Sequence, residues 1–210
     1  MRILSDNAVE GLDLWLPVFY SLIAPIYDRL WTREKMRRDL VSRLRLQAGQ
    51  RVLETGVGTG ANLPMLCAAV GTGGRVEGID LSPGMLRRAE RRAASLPCPV
   101  RLDLQNASDL SYPDECFDAV LHFGGVNFFS DREKALREMV RVARRGARLI
   151  IADETIYLHG RPGERLSRLM LGLLPRLRPP LSLFPPEAEL IGVEYSPRGF
   201  FYIIELVKVG

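Results

Sequence analysis

A short stretch with three glycines carries the clearest chemical signal in this sequence. Residues 52–63 read VLETGVGTGANL, so that Gly56, Gly58 and Gly60 follow directly on a strand-like run. Glycines at the turn from a strand into a helix let the chain turn sharply and let a ligand approach the main chain. The same glycines, with Ala61 in the last position, also fit the dinucleotide-binding pattern, so the neighbouring charges have to decide which ligand binds.

Glu54 supplies the deciding charge. It lies two residues before the first glycine, at the end of the predicted strand, where a dinucleotide would place its pyrophosphate. A carboxylate at this point repels an anionic ligand and attracts a cationic one. S-adenosylmethionine has no phosphate and carries a sulfonium and an ammonium group, so the charge of Glu54 favours this cofactor over a nicotinamide dinucleotide.

Two further stretches could complete a nucleoside site. Asp80 ends the next predicted strand, about twenty residues beyond the turn, where a carboxylate accepts hydrogen bonds from both ribose hydroxyls. Its alternative role is that of an acid which favours the dipole of the helix that follows. After the third strand, the main chain at Ala107 and the side chain of Ser108 or Asp109 could bond the adenine edge while Leu81 packs on the ring, although the segment is also typical of a simple turn.

The elements that position these residues follow from hydrophobic periodicity. From residue 51 onward, β-rich runs alternate with helical patterns, in the order that builds a parallel sheet covered by helices. The predicted strands are 51–55, 75–79, 100–104, 117–123 and 147–152. Two more strand-like runs, 189–196 and 200–208, flank a turn at 197–199 and predict an antiparallel hairpin at the end of the chain.

The sequence also indicates where helices begin and end. Ser82 before a proline predicts an N-cap, and Ser130 with Glu133 predicts a capping box whose helix ends at a C-cap glycine, Gly146. Residues 1–48 are predicted to be helical, on the apolar spacing of residues 36–44. We therefore expect one structural domain, with an N-terminal helical segment at 1–48 and the main α/β unit at 49–210.

The order of these segments resembles the class I S-adenosylmethionine-dependent methyltransferases. The resemblance runs from residue 51 to about 153 and is carried by 54–60, Asp80, 107–109 and the run FDAVL at 117–121. Within that superfamily the chain is most similar to small ubiquinone/menaquinone-type and bacterial phosphatidylethanolamine N-methyltransferase-like enzymes, which share APIYD at 24–28 and GIDLSPGML at 78–86. It implies a Rossmann-like, doubly wound, mostly parallel seven-stranded sheet with a C-terminal antiparallel hairpin. Thr55 and Val57 depart from the family's turn.

The resemblance also implies a cofactor, a reaction and a set of site residues. S-adenosylmethionine would give its methyl group, by in-line transfer, to a small or lipid- or quinone-like acceptor, and would leave as S-adenosylhomocysteine. The residues implied to bind the cofactor are Glu54, Thr55, Gly56, Gly58, Gly60, Asn62, Asp80, Leu81, Met85, Ala107, Ser108, Asp109, His122 and Tyr27. In such enzymes the N-terminal segment is a lid over the cofactor, so Tyr27 could reach the methionine carboxylate, or with Tyr20 and Trp31 could simply anchor the segment.

The acceptor side should lie at the carboxyl ends of the fourth and fifth strands, where open α/β sheets bind ligands. Methyl transfer from a sulfonium mainly requires alignment, and a general base is needed only for a protonated nucleophile. His122 is the best base by its chemistry, although a histidine at a strand end can equally be structural. The other residues expected on this side are Phe123, Asn127, Phe128, Asp153 and Glu154.

Composition bounds the partners and the compartment. Lys and Arg exceed Asp and Glu by 29 to 25, a formal charge of +4, and the chain shows no dense basic stripe, so nucleic acid is not expected as a partner. Three cysteines without C-x-x-C spacing predict neither a disulfide framework nor a metal site. The first residues suit neither a signal peptide nor a membrane span, so a cytoplasmic location is expected.

Two alternatives and one possible membrane contact remain open at this stage. A basic amphipathic pattern at 161–184 is typical of packing on the sheet, but it could also place the protein peripherally at a membrane. A nicotinamide-dependent oxidoreductase would use the same glycines, although the sequence lacks the Tyr-x-x-x-Lys pair that a short reductase needs. A non-catalytic protein that only binds S-adenosylmethionine would show the same cofactor residues.

Overall fold

The computed structural model describes residues 18–22, 24, 34–155, 177–197 and 199–210. In these residues seven strands form one sheet. The strands are β1 (Arg51–Thr55), β2 (Arg75–Asp80), β3 (Val100–Leu104), β4 (Phe117–Phe123), β5 (Ala143–Glu154), β6 (Ala188–Tyr195) and β7 (Phe201–Lys208). The helices are α1 (Glu34–Arg43), α2 (Leu63–Val70), α3 (Pro83–Ala93) and α4 (Arg132–Val142). Short 3-10 turns lie at Val126–Phe128 and Leu181–Leu183.

The strand order is β3-β2-β1-β4-β5-β7-β6, and it confirms the predicted fold. Strands β1 to β5 are parallel, whereas β7 runs antiparallel between β5 and β6 and closes the predicted hairpin. The order reverses between β1 and β4, whose registered residues include Thr55 and His122. In open α/β sheets such a reversal opens a crevice at the carboxyl ends of the two strands, which is where ligands bind.

Helices cover both faces of the sheet, so the strands alternate their side chains between two apolar cores. Leu53 of β1 packs in one core with Met139 of α4. Val52 packs in the other core with Leu40 of α1 and Leu66 of α2. Neighbouring residues of a strand point to opposite faces, so the two cores also divide the polar residues at the strand ends.

The structure confirms one of the two helix N-caps that the sequence predicts. Ser82 caps α3, and its hydroxyl accepts a hydrogen bond from the Met85 amide at 3.2 Å, as predicted. The capping box at Ser130 was wrong. Asp131 is the N-cap of α4 instead, because its carboxylate accepts from the Lys134 amide at 2.9 Å and a carboxylate binds amide donors strongly.

The C-cap role predicted for Gly146 was also wrong. Helix α4 ends at Val142 and the chain enters β5 at once, four residues before the predicted strand start. Gly146 lies within β5 with φ +79°, where the pairing with β4 shifts register. One type of β-bulge has a glycine at positive φ, as many helix ends do, so the glycine alone does not separate the two.

The cysteines contradict the expectation that no disulfide forms. Cys67 on α2 and Cys98 in the loop before β3 form a disulfide, with Cα atoms 5.4 Å apart. Both residues are buried, and Cys116 is a free buried cysteine. The pairing depends on how α2 packs against that loop, so residues 31 positions apart gave no local signal.

Within the described ranges, no helix combines the length and the apolar character that a membrane crossing requires. Tyr27 and Trp31 lie outside the described residues, as does most of the 161–184 segment.

Candidate cofactor site

The glycine-rich turn joins β1 to α2 at the predicted place. Gly56, Gly58 and Gly60 have φ of +67°, +55° and +75°, a backbone conformation that other residues rarely adopt. The Gly58 amide donates to the Asp80 carboxylate at 2.8 Å. The turn of β1 and the end of β2 are therefore held together, so the structure brings two of the predicted site elements into contact.

Asp80 accepts hydrogen bonds with both carboxylate oxygens. One takes the Gly58 amide and the other takes the Ser82 amide, each at 2.8 Å. Burial raises the pKa of Asp80 to about 6, although these backbone bonds lower it. The carboxylate lies beside the turn at the end of β2, and it also supports the start of α3.

Glu54 is a buried carboxylate with one oxygen unpaired. Its side chain is only 2% exposed, and one oxygen, Oε1, accepts from the Asn62 amide nitrogen at 2.5 Å. The other oxygen, Oε2, is buried without a hydrogen-bond partner in the part of the chain that the structure describes. Burial raises the pKa of Glu54 to about 7. A buried unpaired carboxylate is costly, so this atom is suited to a cationic or hydrogen-donating ligand.

Arg37 reaches the same place from α1. Its Nη1 donates to the Asn62 side-chain oxygen at 3.0 Å, and its guanidinium lies 4.9 Å from the centre of the Phe123 ring. The positive charge of Arg37 lowers the pKa of Glu54, although burial outweighs it. The N-terminal helix thus contributes a cation next to the predicted cofactor site.

Thr55 and His122 lie on the other face of the sheet. The Thr55 hydroxyl is within hydrogen-bond distance of Met139 Sδ at 3.7 Å, so this side chain packs toward α4 and away from Glu54. His122 Nδ1 lies 2.9 Å from the Thr55 carbonyl oxygen and 3.0 Å from its hydroxyl. Because a carbonyl only accepts, Nδ1 carries the proton and Nε2 has the lone pair.

His122 is fully buried and neutral. Burial lowers its pKa to about 4, and Nε2 has no hydrogen-bond partner among the described residues. Its ring packs edge-on against Phe129, with ring centres 5.2 Å apart. A Cβ on Gly56 would lie 3.4 Å from the imidazole, so His122 packs directly against the glycine turn. The position suits a structural residue better than an exposed base.

The loop after β3 is held by its own polar groups. The Ser108 amide donates to the Asn106 side chain at 2.9 Å, and the Ser108 hydroxyl donates to the Asp131 carbonyl at 3.2 Å. Ala107 and Ser108 are buried, whereas Asp109 is half-buried. The loop therefore has a fixed shape, but the Ser108 hydroxyl is turned toward α4.

Residues 18–22 pack on the first turn of α3, close to Asp80. The hydroxyls of Ser21 and Ser82 lie 2.8 Å apart, and the Gly84 amide donates to the Ser21 hydroxyl at 3.2 Å. A Cβ on Gly84 would come within 2.6 Å of the Ser21 Cα. Glycine at position 84 therefore allows this close contact.

The comparison with known protein families settles the kind of domain. The family described as "Methyltransferase domain" matches residues 53–151, which include the turn, Asp80, the loop after β3 and most of β5. Residues 53–151 of this chain match a methyltransferase domain. The match agrees with the stretch over which the sequence resembles class I methyltransferases.

Two curated relatives and one solved structure show how far the likeness extends. The 2-phytyl-1,4-naphtoquinone methyltransferase of Synechococcus elongatus is 34% identical over 166 residues, which are 73% of this chain and 66% of that protein. The phosphatidylethanolamine N-methyltransferase of Cereibacter sphaeroides is 37% identical over 132 residues, 61% and 63% of the two chains. The matched part of this chain thus spans slightly less than two thirds of the length of each of these relatives. A SAM dependent methyltransferase from Aquifex aeolicus has the same fold, with a TM-score of 0.65, 22% identity, and 92% and 98% of the two chains covered.

A polar network links the ends of β4 and β5 to the loop after β4. Asp153, only 1% exposed, accepts from the amides of Asn127 at 2.7 Å and Gly125 at 3.1 Å. The Tyr202 hydroxyl donates to the Asn127 side chain at 3.1 Å. The loop after β4 is thereby fixed on β5 and β7, so Asp153 and Asn127 shape the expected acceptor side through the backbone.

Sequence reasoning missed Arg37 and Tyr202. Arg37 is one of several basic residues on α1, and nothing in its spacing distinguishes it from an exposed arginine such as Arg38. Tyr202 lies in a predicted strand, where an aromatic residue is typical of the core. Only the packing of α1 and the insertion of β7 reveal their polar contacts.

Proposed function

We propose that this protein transfers a methyl group from S-adenosylmethionine to a small acceptor of the quinone or lipid kind. The observation that carries the proposal is the buried, unpaired Oε2 of Glu54 beside a glycine turn within a methyltransferase domain. Quinone and phospholipid methyltransferases among the relatives suggest the acceptor class. A nicotinamide dinucleotide would bring its pyrophosphate to the same carboxylate, which is unfavourable.

The proposed roles follow from the chemistry of each group. Asp80 would hold the ribose, and the loop at 107–109 with Leu81 and Met85 would surround the adenine. Glu54 and Asn62 would hold the methionine end. Methyl transfer is then promoted by alignment and by exclusion of water, because the leaving thioether is neutral. His122 is the least supported member of the set, since its imidazole is buried on the face opposite Glu54.

The N-terminal segment, 1–48, is proposed as a lid. The Ser21 contact with the start of α3 and the Arg37 contact with Asn62 support this role. Three apolar side chains among the described residues of this segment are strongly exposed, with Val18 at 55%, Phe19 at 53% and Leu22 at 75%. We propose that these apolar side chains touch a membrane from which a lipid-like acceptor enters. Sedimentation with anionic vesicles should then weaken in Leu22→Ser; equal sedimentation of the variant and the native protein would contradict the contact.

A cytoplasmic location stays a proposal. The Cys67–Cys98 disulfide counts against it, because disulfides persist mainly in oxidising compartments. Fractionation of cells that produce the protein would decide between a cytoplasmic location and an oxidising compartment.

The test of the function is cofactor binding followed by an acceptor screen. Calorimetry should detect binding of S-adenosylhomocysteine, weakened by about tenfold or more in Asp80→Ala, because hydrogen bonds to a charged group are lost. Asp114→Ala, which removes a surface carboxylate paired with Arg141, is the matched control and should bind like the native protein. Quinones and phospholipids should gain one methyl group by mass. Binding of NAD without S-adenosylhomocysteine would refute the proposal.

A further inference from the structure

We propose that helix α3 and residues 18–22 together form one surface that binds anionic lipid bilayers. Arginines of α3 contact the lipid phosphates, while the apolar side chains of residues 18–22 enter the bilayer. The inference rests on the proposed function, which brings residues 18–22 to a membrane. It adds a second element to that contact and specifies the charge of the lipid.

The two elements meet in a tight contact at the start of α3. A Cβ on Gly84 would lie 2.6 Å from the Ser21 Cα, so this side of α3 faces residues 18–22. Residues three, four and seven positions further along a helix lie on the same face. In α3 these are Arg87, Arg88 and Arg91. The arginines therefore continue, along the helix, the surface that begins at Ser21.

The core fixes this basic face toward the outside of the protein. Met85, Leu86 and Ala89 are buried on the other side of α3. Arg87 and Arg91 are exposed, and Arg88 is half-buried. Glu90, the acidic residue of α3, lies six positions after Gly84, which is roughly 120° around the helix. The basic face is thus formed by adjacent positive charges without a carboxylate of α3 between them.

These charges are available to a partner. None of the three arginines forms a salt bridge with any residue in the described ranges. The Nε of Arg91 donates to the Arg87 carbonyl oxygen at 3.2 Å, which leaves the terminal nitrogens of its guanidinium for other acceptors. Arginine binds phosphate through several N–H groups at once, so anionic headgroups suit this face.

An anionic bilayer matches both parts of the surface. Exposed apolar side chains gain by entering the acyl boundary, and nearby basic residues gain from anionic lipids. A nucleic acid would pair with the arginines but would leave Val18, Phe19 and Leu22 in water. A second copy of the chain, bound through the same surface, would bring like charges together. The combination of apolar and basic residues therefore favours the bilayer.

The experiment compares two kinds of vesicle in matched variants. Sedimentation is measured with vesicles of phosphatidylcholine alone and of an equal mixture of phosphatidylcholine and phosphatidylglycerol. The test variant is Arg87→Gln/Arg91→Gln. The control is Arg137→Gln/Arg145→Gln, which removes two exposed positive charges from α4 and β5, away from α3. Calorimetry with S-adenosylhomocysteine is run on all three proteins.

The native protein should bind the mixed vesicles more tightly than phosphatidylcholine vesicles. The test variant should bind the mixed vesicles on the order of twentyfold more weakly, at about fivefold for each arginine near an anionic surface. The control should bind them like the native protein, and both variants should keep the native affinity for S-adenosylhomocysteine. The inference is overturned if test variant and control weaken equally, if both vesicles bind alike, or if the native protein binds duplex DNA but not the mixed vesicles. Failure of the proposed function would be seen separately, as absent binding of S-adenosylhomocysteine by the native protein.

Discussion

The substitution Glu54→Gln separates two effects of the buried carboxylate. One is its effect on the free energy of unfolding, and the other is its contribution to cofactor binding. Burial raises the pKa of Glu54 from 4.5 to about 7 in the native protein. Between these values the native state binds more protons than the unfolded chain, so the free energy of unfolding falls as pH rises from about 4.5 to about 7. At about 1.4 kcal/mol for each pH unit, the full loss is on the order of 3 kcal/mol.

Glutamine keeps the acceptor for Asn62 but does not titrate. Without cofactor, the variant should therefore be more stable than the native protein by on the order of 3 kcal/mol above about pH 8. The two proteins should become equally stable near pH 4.5, where the native carboxyl is protonated. Asp80 is present in both proteins, but its charge raises the pKa of Glu54, so the difference between the two proteins includes this coupling as well as the burial of Glu54. Urea denaturation across this range measures the free energy of unfolding directly.

The same variant should bind S-adenosylhomocysteine more weakly at high pH, because an amide cannot pair with an ammonium group as a carboxylate does. Glu34→Gln, on the exposed side of α1, is the control and should change neither property. A stability difference that stays constant with pH would show that burial does not perturb Glu54. Native affinity in Glu54→Gln at high pH would refute the electrostatic account of cofactor binding.

Three other substitutions test the surroundings of the site. Gly84→Ala would place a Cβ within 2.6 Å of the Ser21 Cα, so amide exchange of the N-terminal segment should speed up while α3 stays folded; unchanged exchange would contradict the contact. Asp153→Asn should lower the free energy of unfolding by about 1–3 kcal/mol, because two oxygens now accept from three backbone amides; a smaller effect in urea denaturation would show that the network is dispensable. Replacing both Cys67 and Cys98 with serine removes the disulfide and should lower the free energy of unfolding by about 3 kcal/mol. Three titratable thiols in the unfolded native protein, measured without a reductant, would show that the bond does not form.

The strands could be predicted because their signals are local. Apolar runs bounded by turn residues gave β1, β3 and β4 with the observed bounds, and the final hairpin to within one residue. The caps of α4 could not be predicted in the same way. Ser130 and Asp131 are adjacent polar residues that could each cap a helix, and only the path of the chain between β4 and α4 selects Asp131. Gly146 likewise fits a helix end or a strand bulge until the register of β5 is known.

Within the site, the residues at strand ends were predicted and those brought by packing were not. Glu54 and Asp80 follow from the rule that carboxyl ends of neighbouring parallel strands meet at one edge. Arg37 depends on the docking of α1, for which the sequence has no signal. The sequence prediction placed Thr55 and His122 in one site with Glu54, although a simple rule of strand geometry separates them.

That rule is the alternation of side chains along a strand. Glu54 and Thr55 are consecutive in β1, so they must point to opposite faces of the sheet. Because Thr55 is in register with His122, the histidine shares the face of Thr55, and Phe123 shares the face of Glu54. The Arg37 contact with Phe123 and the Thr55 contact with Met139 agree with this division. The amino-acid end of the cofactor is therefore expected on the α1 face, and a base at His122 could act only on an acceptor that reaches the sheet from the α4 face.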